Sequence, residues 1–149
     1  MMSQLILLKR KNQLIGVIKV LFIDSCYIIA LMNVKAKKHY ESLKLLEYID
    51  NERTLINSTV ILEIFNNLKK KRYEAKRLDI IDLIYSMDKI HYLDVLEYSN
   101  ALDLCKYYNF SVNYGDCTII QSMEKYNVNN IVSFDNDFDK VKGINRVYL

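Results

Sequence analysis

Four acidic side chains stand at positions where an α/β protein could gather them into one site. Asp24 and Asp135 each closely follow a short apolar run that is typical of a buried strand. Glu63 lies in the first turns of a predicted helix, and Asp116 opens another. Because ligands of parallel sheets bind beyond the carboxyl ends of the strands, these four side chains could converge on one pocket.

Such a cluster of carboxylates predicts a bound cation. Acidic groups held close together repel one another and raise each other's pKa unless a positive charge lies among them. Carboxylate oxygens are hard ligands, which suit Mg²⁺ or Mn²⁺. The sequence therefore predicts a divalent metal site in a chain of formal net charge +3, where a polyanionic substrate would be well placed.

Each acid also has a structural alternative. Asp24 and Asp116 could simply cap the helices that begin beside them, which is a common role of Asp at a helix start. Glu63 falls opposite the predicted apolar stripe of its helix, so that it could face solvent. The residue types alone leave these alternatives open.

The elements that must position the acids alternate between strand and helix. Strands are predicted at 20–23, 54–57, 131–133 and 147–149. Helices are predicted at 37–50, from Ser58 or Thr59 to 68, and at 73–86, 96–107 and 117–126, with a short helical turn at 137–141 and an apolar break at 90–93. This order predicts an α/β fold with a mainly parallel central sheet, because parallel strands need helical crossovers.

The helix after the second predicted strand has a distinct pattern. Its expected buried stripe consists of Ile61, Phe65 and Leu68. The basic run 69–72 follows it, and a second basic run lies at 35–38. Either run could contact phosphates, but charged helix ends are more often simply solvated.

Composition limits the class of protein. A chain of 149 residues fits one domain, with 20–149 as its core and 1–19 as an N-terminal extension of uncertain status. The chain has no Pro and only three Gly, which argues against Gly-rich phosphate loops. Three cysteines without a CxxC pair fit neither a disulfide framework nor a zinc finger. No apolar run reaches the length of a membrane span, so we expect a cytoplasmic protein without membrane attachment.

Four motifs together resemble one family. They are VLFIDSCYIIAL at 20–31, STVILEIFNNL at 58–68, NYGDCTIIQSM at 113–123 and SFDNDF at 133–138. Over residues 20–149 the sequence resembles a PIN domain, and most closely the VapC-type toxin ribonucleases of toxin–antitoxin systems. It departs from the family at Gly115, where many relatives carry a hydroxyl or a larger residue.

The resemblance implies a three-layer α/β/α sandwich and a metal-dependent endoribonuclease. The implied ligands of Mg²⁺ or Mn²⁺ are Asp24, Glu63, Asp116 and Asp135, with Asp137 as a candidate fifth. Ser25 and Ser133 could orient these carboxylates, although a Ser at a strand end is as often a cap. The implied partners are an RNA substrate, a second copy of the chain in a homodimer, and a cognate antitoxin protein.

Two alternatives to a toxin remain at this point. A PIN nuclease of RNA maturation would share the same acids, although such proteins usually have longer chains. A non-catalytic RNA-binding PIN module would keep the fold but lose an acid, whereas all four are present here.

Overall fold

Five parallel strands form the centre of the protein. The computed structural model describes residues 18–149, and most of the predicted extension at 1–19 lies outside them. The strands are β1 (Val20–Ile23), β2 (Arg53–Asn57), β3 (Lys89–His91), β4 (Asn130–Val132) and β5 (Asn145–Val147). Their order in the sheet is β3-β2-β1-β4-β5, and every neighbouring pair is parallel.

Six helices connect these strands. They are α1 (Ser25–Met32), α2 (His39–Asp50), α3 (Ser58–Leu68), α4 (Arg77–Tyr85), α5 (Val95–Tyr107) and α6 (Tyr114–Lys125), with 3-10 helices at Lys71–Lys76 and Asn136–Lys140. The architecture is the α/β/α sandwich, which confirms the predicted fold class. None of the helices within residues 18–149 is long and apolar enough to cross a membrane.

The central strand β1 explains why its sequence is so uniformly apolar. Leu21, Phe22 and Ile23 are at most 1% exposed, because β1 pairs with β2 on one side and β4 on the other while helices cover both faces. The end of this strand is therefore fixed inside the core, and so is the residue that follows it, Asp24.

The start of α3 differs from the sequence prediction. The cap is neither Ser58 nor Thr59 but Asn57, whose Oδ1 accepts the N–H of Val60 at 3.1 Å. Asn57 is fully buried, and its amide nitrogen donates to the Ser122 hydroxyl at 3.0 Å. Asn57 thereby ties the start of α3 to α6.

The buried stripe of α3 was also predicted incorrectly. Its buried residues are Val60, Ile64 and Leu68. Phe65, which was expected in the core, is 44% exposed. The face of α3 that meets the sheet is therefore offset from the predicted stripe, and Glu63 is half-buried and hydrogen-bonded to Ser25 of α1.

Two further elements were not predicted in their observed form. The segment at 90–93, interpreted as a break, overlaps the three-residue strand β3, which among the strands of residues 18–149 is hydrogen-bonded to β2 alone and forms an edge of the sheet. The predicted helix at 73–86 is a 3-10 helix followed by α4.

Candidate metal centre

Asp24 occupies the carboxyl end of β1 and caps α1. Its Oδ1 accepts the N–H of Ser25 at 2.7 Å, and its Oδ2 accepts the hydroxyl of Ser133 at 2.6 Å. The side chain is only 4% exposed. The capping alternative therefore holds at Asp24, but the second oxygen of the same carboxylate is directed at the end of β4, where Ser133 lies.

Glu63 joins the site through Ser25. The Ser25 hydroxyl donates to Glu63 Oε2 at 2.5 Å, which connects α1 to α3. Burial raises the pKa of Glu63, and the nearby carboxylates of Asp24 and Asp135 add to this effect. The solvent-facing alternative for Glu63 is therefore wrong.

Gly115 makes room for the Glu63 carboxylate. A Cβ atom added at Gly115 would lie 2.9 Å from Glu63 Oε1, closer than real Cβ contacts allow. The glycine that departs from the family pattern is thus the point where α6 comes close to the carboxylate of Glu63.

Asp116 does not cap its helix. The cap of α6 is Asn113, whose Oδ1 accepts the N–H of Asp116 at 2.8 Å. Asp116 is 5% exposed, and its Oδ2 is buried without a hydrogen-bond partner among residues 18–149. Burying a polar atom without a partner costs free energy, so this oxygen needs an explanation that capping does not give.

The electrostatics around Asp116 favour the binding of a cation. Its pKa is raised to about 8, first by burial and then by the carboxylates of Asp24, Asp135, Glu63 and Asp137. Burial is also the main cause of the raised pKa of Asp24. Asp116 therefore lies within electrostatic reach of the other four predicted acids.

The fourth and fifth acids lie on one short turn after β4. Asp135 caps the 3-10 helix Asn136–Lys140, since its Oδ1 accepts the N–H of Asp137 at 2.9 Å. The N–H of Asp135 in turn donates to Ser133 Oγ at 3.0 Å. One carboxylate oxygen from each of Asp116, Asp135 and Asp137 lies within 4.8 Å of the other two.

Ser25 and Ser133 occupy the positions predicted for orienting residues. Ser25 binds both Asp24 and Glu63, and Ser133 binds both Asp24 and the backbone of Asp135. Each serine thus connects two acids that come from distant parts of the chain.

Cys26 contributes contacts that the sequence did not predict. Its Sγ–H donates to Asp24 Oδ2 at 3.2 Å, and its sulfur accepts the N–H of Phe134 at 3.3 Å. Burial raises the pKa of the thiol to about 12, with the Asp24 carboxylate as the next cause, so the thiol stays protonated. Its position two residues after Asp24 was visible in the sequence, but nothing in the spacing indicated its hydrogen bonds.

The donor set fits a hard divalent cation. All five side chains offer carboxylate oxygens, and one of these oxygens, Oδ2 of Asp116, is buried without a hydrogen-bond partner among residues 18–149. Magnesium and manganese prefer oxygen ligands of this kind. The arrangement can therefore hold a metal ion and place it at the carboxyl edge of the sheet.

Comparisons with known proteins agree with this architecture. The sequence pattern of the PIN domain family matches residues 21–144. A search of curated proteins finds no match.

Several solved structures share the fold at low sequence identity. VapC20 of Mycobacterium tuberculosis, described as a toxin that cleaves the sarcin-ricin loop, aligns with a TM-score of 0.75 and 17% identity over 87% of this chain and 99% of that chain. VapBC2 of Rickettsia felis, bound to a DNA fragment from its promoter, aligns with a TM-score of 0.65 and 13% identity over 87% and 98%. DNA-bound VapBC of Salmonella typhimurium aligns with a TM-score of 0.65 and 15% identity over 88% and 98%.

These structural likenesses show a shared fold, and the family pattern spans most of the sequence. The chain belongs to the PIN domain family.

Proposed function

We propose that this protein is a metal-dependent endoribonuclease of the VapC toxin type, which hydrolyses phosphodiester bonds of RNA. Asp24, Glu63, Asp116 and Asp135 hold the Mg²⁺ or Mn²⁺ ion. The observation that carries the proposal is the buried Oδ2 of Asp116, which has no hydrogen-bond partner in the described part of the chain and lies among other carboxylates. Perturbed acids of this kind cluster at functional sites more often than elsewhere.

The protein's own groups prepare the site for this reaction. Ser25 and Ser133 hold the carboxylates of Asp24 and Glu63 in fixed orientations, so that little rearrangement is needed when an ion arrives. The bound ion supplies a water of lowered pKa and stabilises charge at the attacked phosphate. The acids at the other edge of the site, Asp116 and Asp135, keep their oxygens directed at the same space.

Partners follow from the relatives. Two of the solved relatives are VapB–VapC assemblies bound to DNA. By analogy, this chain forms a homodimer in the cytoplasm and is silenced by a small antitoxin. An antitoxin Arg would suit the acidic crevice, since its planar guanidinium pairs with carboxylates and can take the place of the metal.

The test is cleavage of structured RNA by the purified protein with Mn²⁺, with Mg²⁺ and with EDTA. We expect cleavage with either ion, and the products should carry a 5′-phosphate. We expect no cleavage in EDTA. Asn substitutions of the site acids should abolish this cleavage. The matched control is Asp103→Asn, which should cleave like the wild type because Asp103 is an exposed surface acid on α5. Cleavage that is equal in EDTA would contradict the proposal.

The toxin assignment has its own test. Induced expression of the wild-type chain is expected to stop growth of the host, whereas expression of Asp24→Asn is not. Cleavage in vitro without growth arrest would favour a nuclease of RNA maturation. Binding of RNA without cleavage under any condition would favour the non-catalytic module.

A further inference from the structure

A half-exposed lysine side chain lies at the edge of the acidic site. The ammonium of Lys140, the last residue of the 3-10 helix Asn136–Lys140, lies 2.6 Å from Oδ1 of Asp137. The same ammonium donates to the backbone carbonyl of Ser111 at 3.0 Å. Lys140 is therefore held from two sides, by the turn that carries the acids and by the loop between α5 and α6.

This ion pair involves a member of the candidate metal group. Asp137 lies with Asp116 and Asp135 in the set whose oxygens are within 4.8 Å of one another. Across residues 18–149, no other Lys or Arg forms an ion pair with any of the five acids. The neighbouring Arg146 is paired with Asp139 instead, at 2.8 Å.

We infer that Lys140 limits the site to a single divalent ion by occupying the Asp137 carboxylate. This inference rests on the proposed metal-dependent function. An ammonium is a compact point charge, and it repels a second cation brought to the same carboxylate. Asp137 is then the partner of Lys140 rather than a metal ligand, and the ammonium supplies at this carboxylate the positive charge that a second ion would otherwise supply.

The experiment counts Mn²⁺ ions bound per chain by isothermal titration calorimetry and by the electron paramagnetic resonance signal of free Mn²⁺. We expect one ion for the wild type and two for Lys140→Met. Lys142→Met is the matched control, since it removes an exposed lysine two residues away, and it should bind one ion. The double variant Lys140→Met with Asp137→Asn should return to one ion, because the carboxylate that accepts the second ion is gone.

A single substitution covers the case in which Lys140→Met does not fold, as judged by circular dichroism. Asp137→Asn should keep one Mn²⁺ ion with unchanged affinity if Asp137 only pairs with Lys140. A loss of affinity of about tenfold or more would show that Asp137 is a ligand and would overturn the inference.

The remaining outcomes separate this inference from the proposed function. Two ions in the wild type, or one ion in Lys140→Met, would overturn the role of Lys140 and leave the metal site standing. No Mn²⁺ bound by any variant would overturn both.

Discussion

Two buried carboxylates in this protein have opposite surroundings. Glu97, in the first turn of α5, is 7% exposed, and Asp116 is 5% exposed. Glu97 accepts a hydrogen bond from the backbone of Asp94 at 2.9 Å and lies 2.7 Å from the His91 ring nitrogen, with Lys125 at 3.6 Å. Asp116 has other carboxylates around it, and its buried Oδ2 finds no hydrogen-bond partner within residues 18–149.

The pKa values of the two acids move in opposite directions. Burial acts to raise the pKa of Glu97, but hydrogen bonds from Asp94 and His91 and the charge of Lys125 lower it overall. At Asp116 burial and the neighbouring acids act together and raise the pKa to about 8. Burial alone thus does not distinguish the two acids, whereas the groups around each carboxylate do.

The largest difference between Asp116 and Glu97 should appear in RNA cleavage. Asp116→Asn keeps the shape of the side chain and removes the charge that attracts the ion, so RNA cleavage should fall by roughly two to three orders of magnitude or more. Glu97→Gln, at equal burial, should leave cleavage within a few-fold of wild type in folded protein. Both are measured by single-turnover cleavage with Mn²⁺, and similar losses in the two variants would remove the distinction.

The pH dependence of stability should separate the same two acids. In the unfolded chain the carboxyl of Asp116 ionises with a pKa of 3.8. Its contribution to the stability of the folded state is fully present below that pH and is lost as the pH rises through about 8. The contribution of Glu97, whose pKa is lowered, is present at higher pH and is lost on acidification.

The measurement is the free energy of unfolding in urea, with EDTA present, at about pH 6 and about pH 9. We expect the wild type to lose on the order of several kcal/mol toward the higher pH, and Asp116→Asn to lose less. A flat profile that is identical in the two proteins would show that Asp116 is not strained by its surroundings.

Substitution at fixed pH should give opposite signs. Glu97→Gln removes a charge from a satisfied network and should destabilise the protein by about 1–3 kcal/mol. Asp116→Asn removes the charge that the carboxylate carries above about pH 8 in the metal-free state, so it should raise the melting temperature in EDTA at about pH 9. Thermal unfolding of both variants checks this, and a lower melting temperature for Asp116→Asn would indicate that its carboxylate is structural after all.

The smallest expected effect concerns the support of Glu63. Gly115→Ala places a methyl group against Glu63 Oε1, and Ser25→Ala removes the hydrogen bond to Oε2. Each should weaken Mn²⁺ binding by about tenfold while the protein stays folded, because both act on the orientation of one ligand. Titration calorimetry measures the affinity, and Ser99→Ala, on the exposed surface of α5, should leave it unchanged.

Local signals made much of the fold predictable. The apolar run of β1 marks a central strand because only a strand covered on both faces can be apolar at every position. Asp24 and Asp135 were recognisable as site candidates because they follow strands, and the chain order of strands and helices indicated a parallel sheet. The roles of these acids as ligands remain predictions.

The errors arose where a distant partner decides the local structure. Asn57, Ser58 and Thr59 can all cap a helix, and the choice falls on Asn57, whose amide reaches Ser122 65 positions later. The edge strand β3 is too short for a period to show. The contact of Lys140 with Ser111 also depends on a distant partner, because it forms only when the loop before α6 folds back.

The pairing of β1 with β4 has a consequence for protein synthesis. Ser133 must reach back across 109 positions to hold Asp24, so the crevice stays unfinished while the first 129 residues leave the ribosome. A nascent or truncated chain that stops before Asn130 carries three of the four acids but has neither Asp135 nor the strand that orients Asp24. Under the proposed toxin function, such fragments are expected to be harmless to the cell that makes them, and an antitoxin would be needed only once translation is complete.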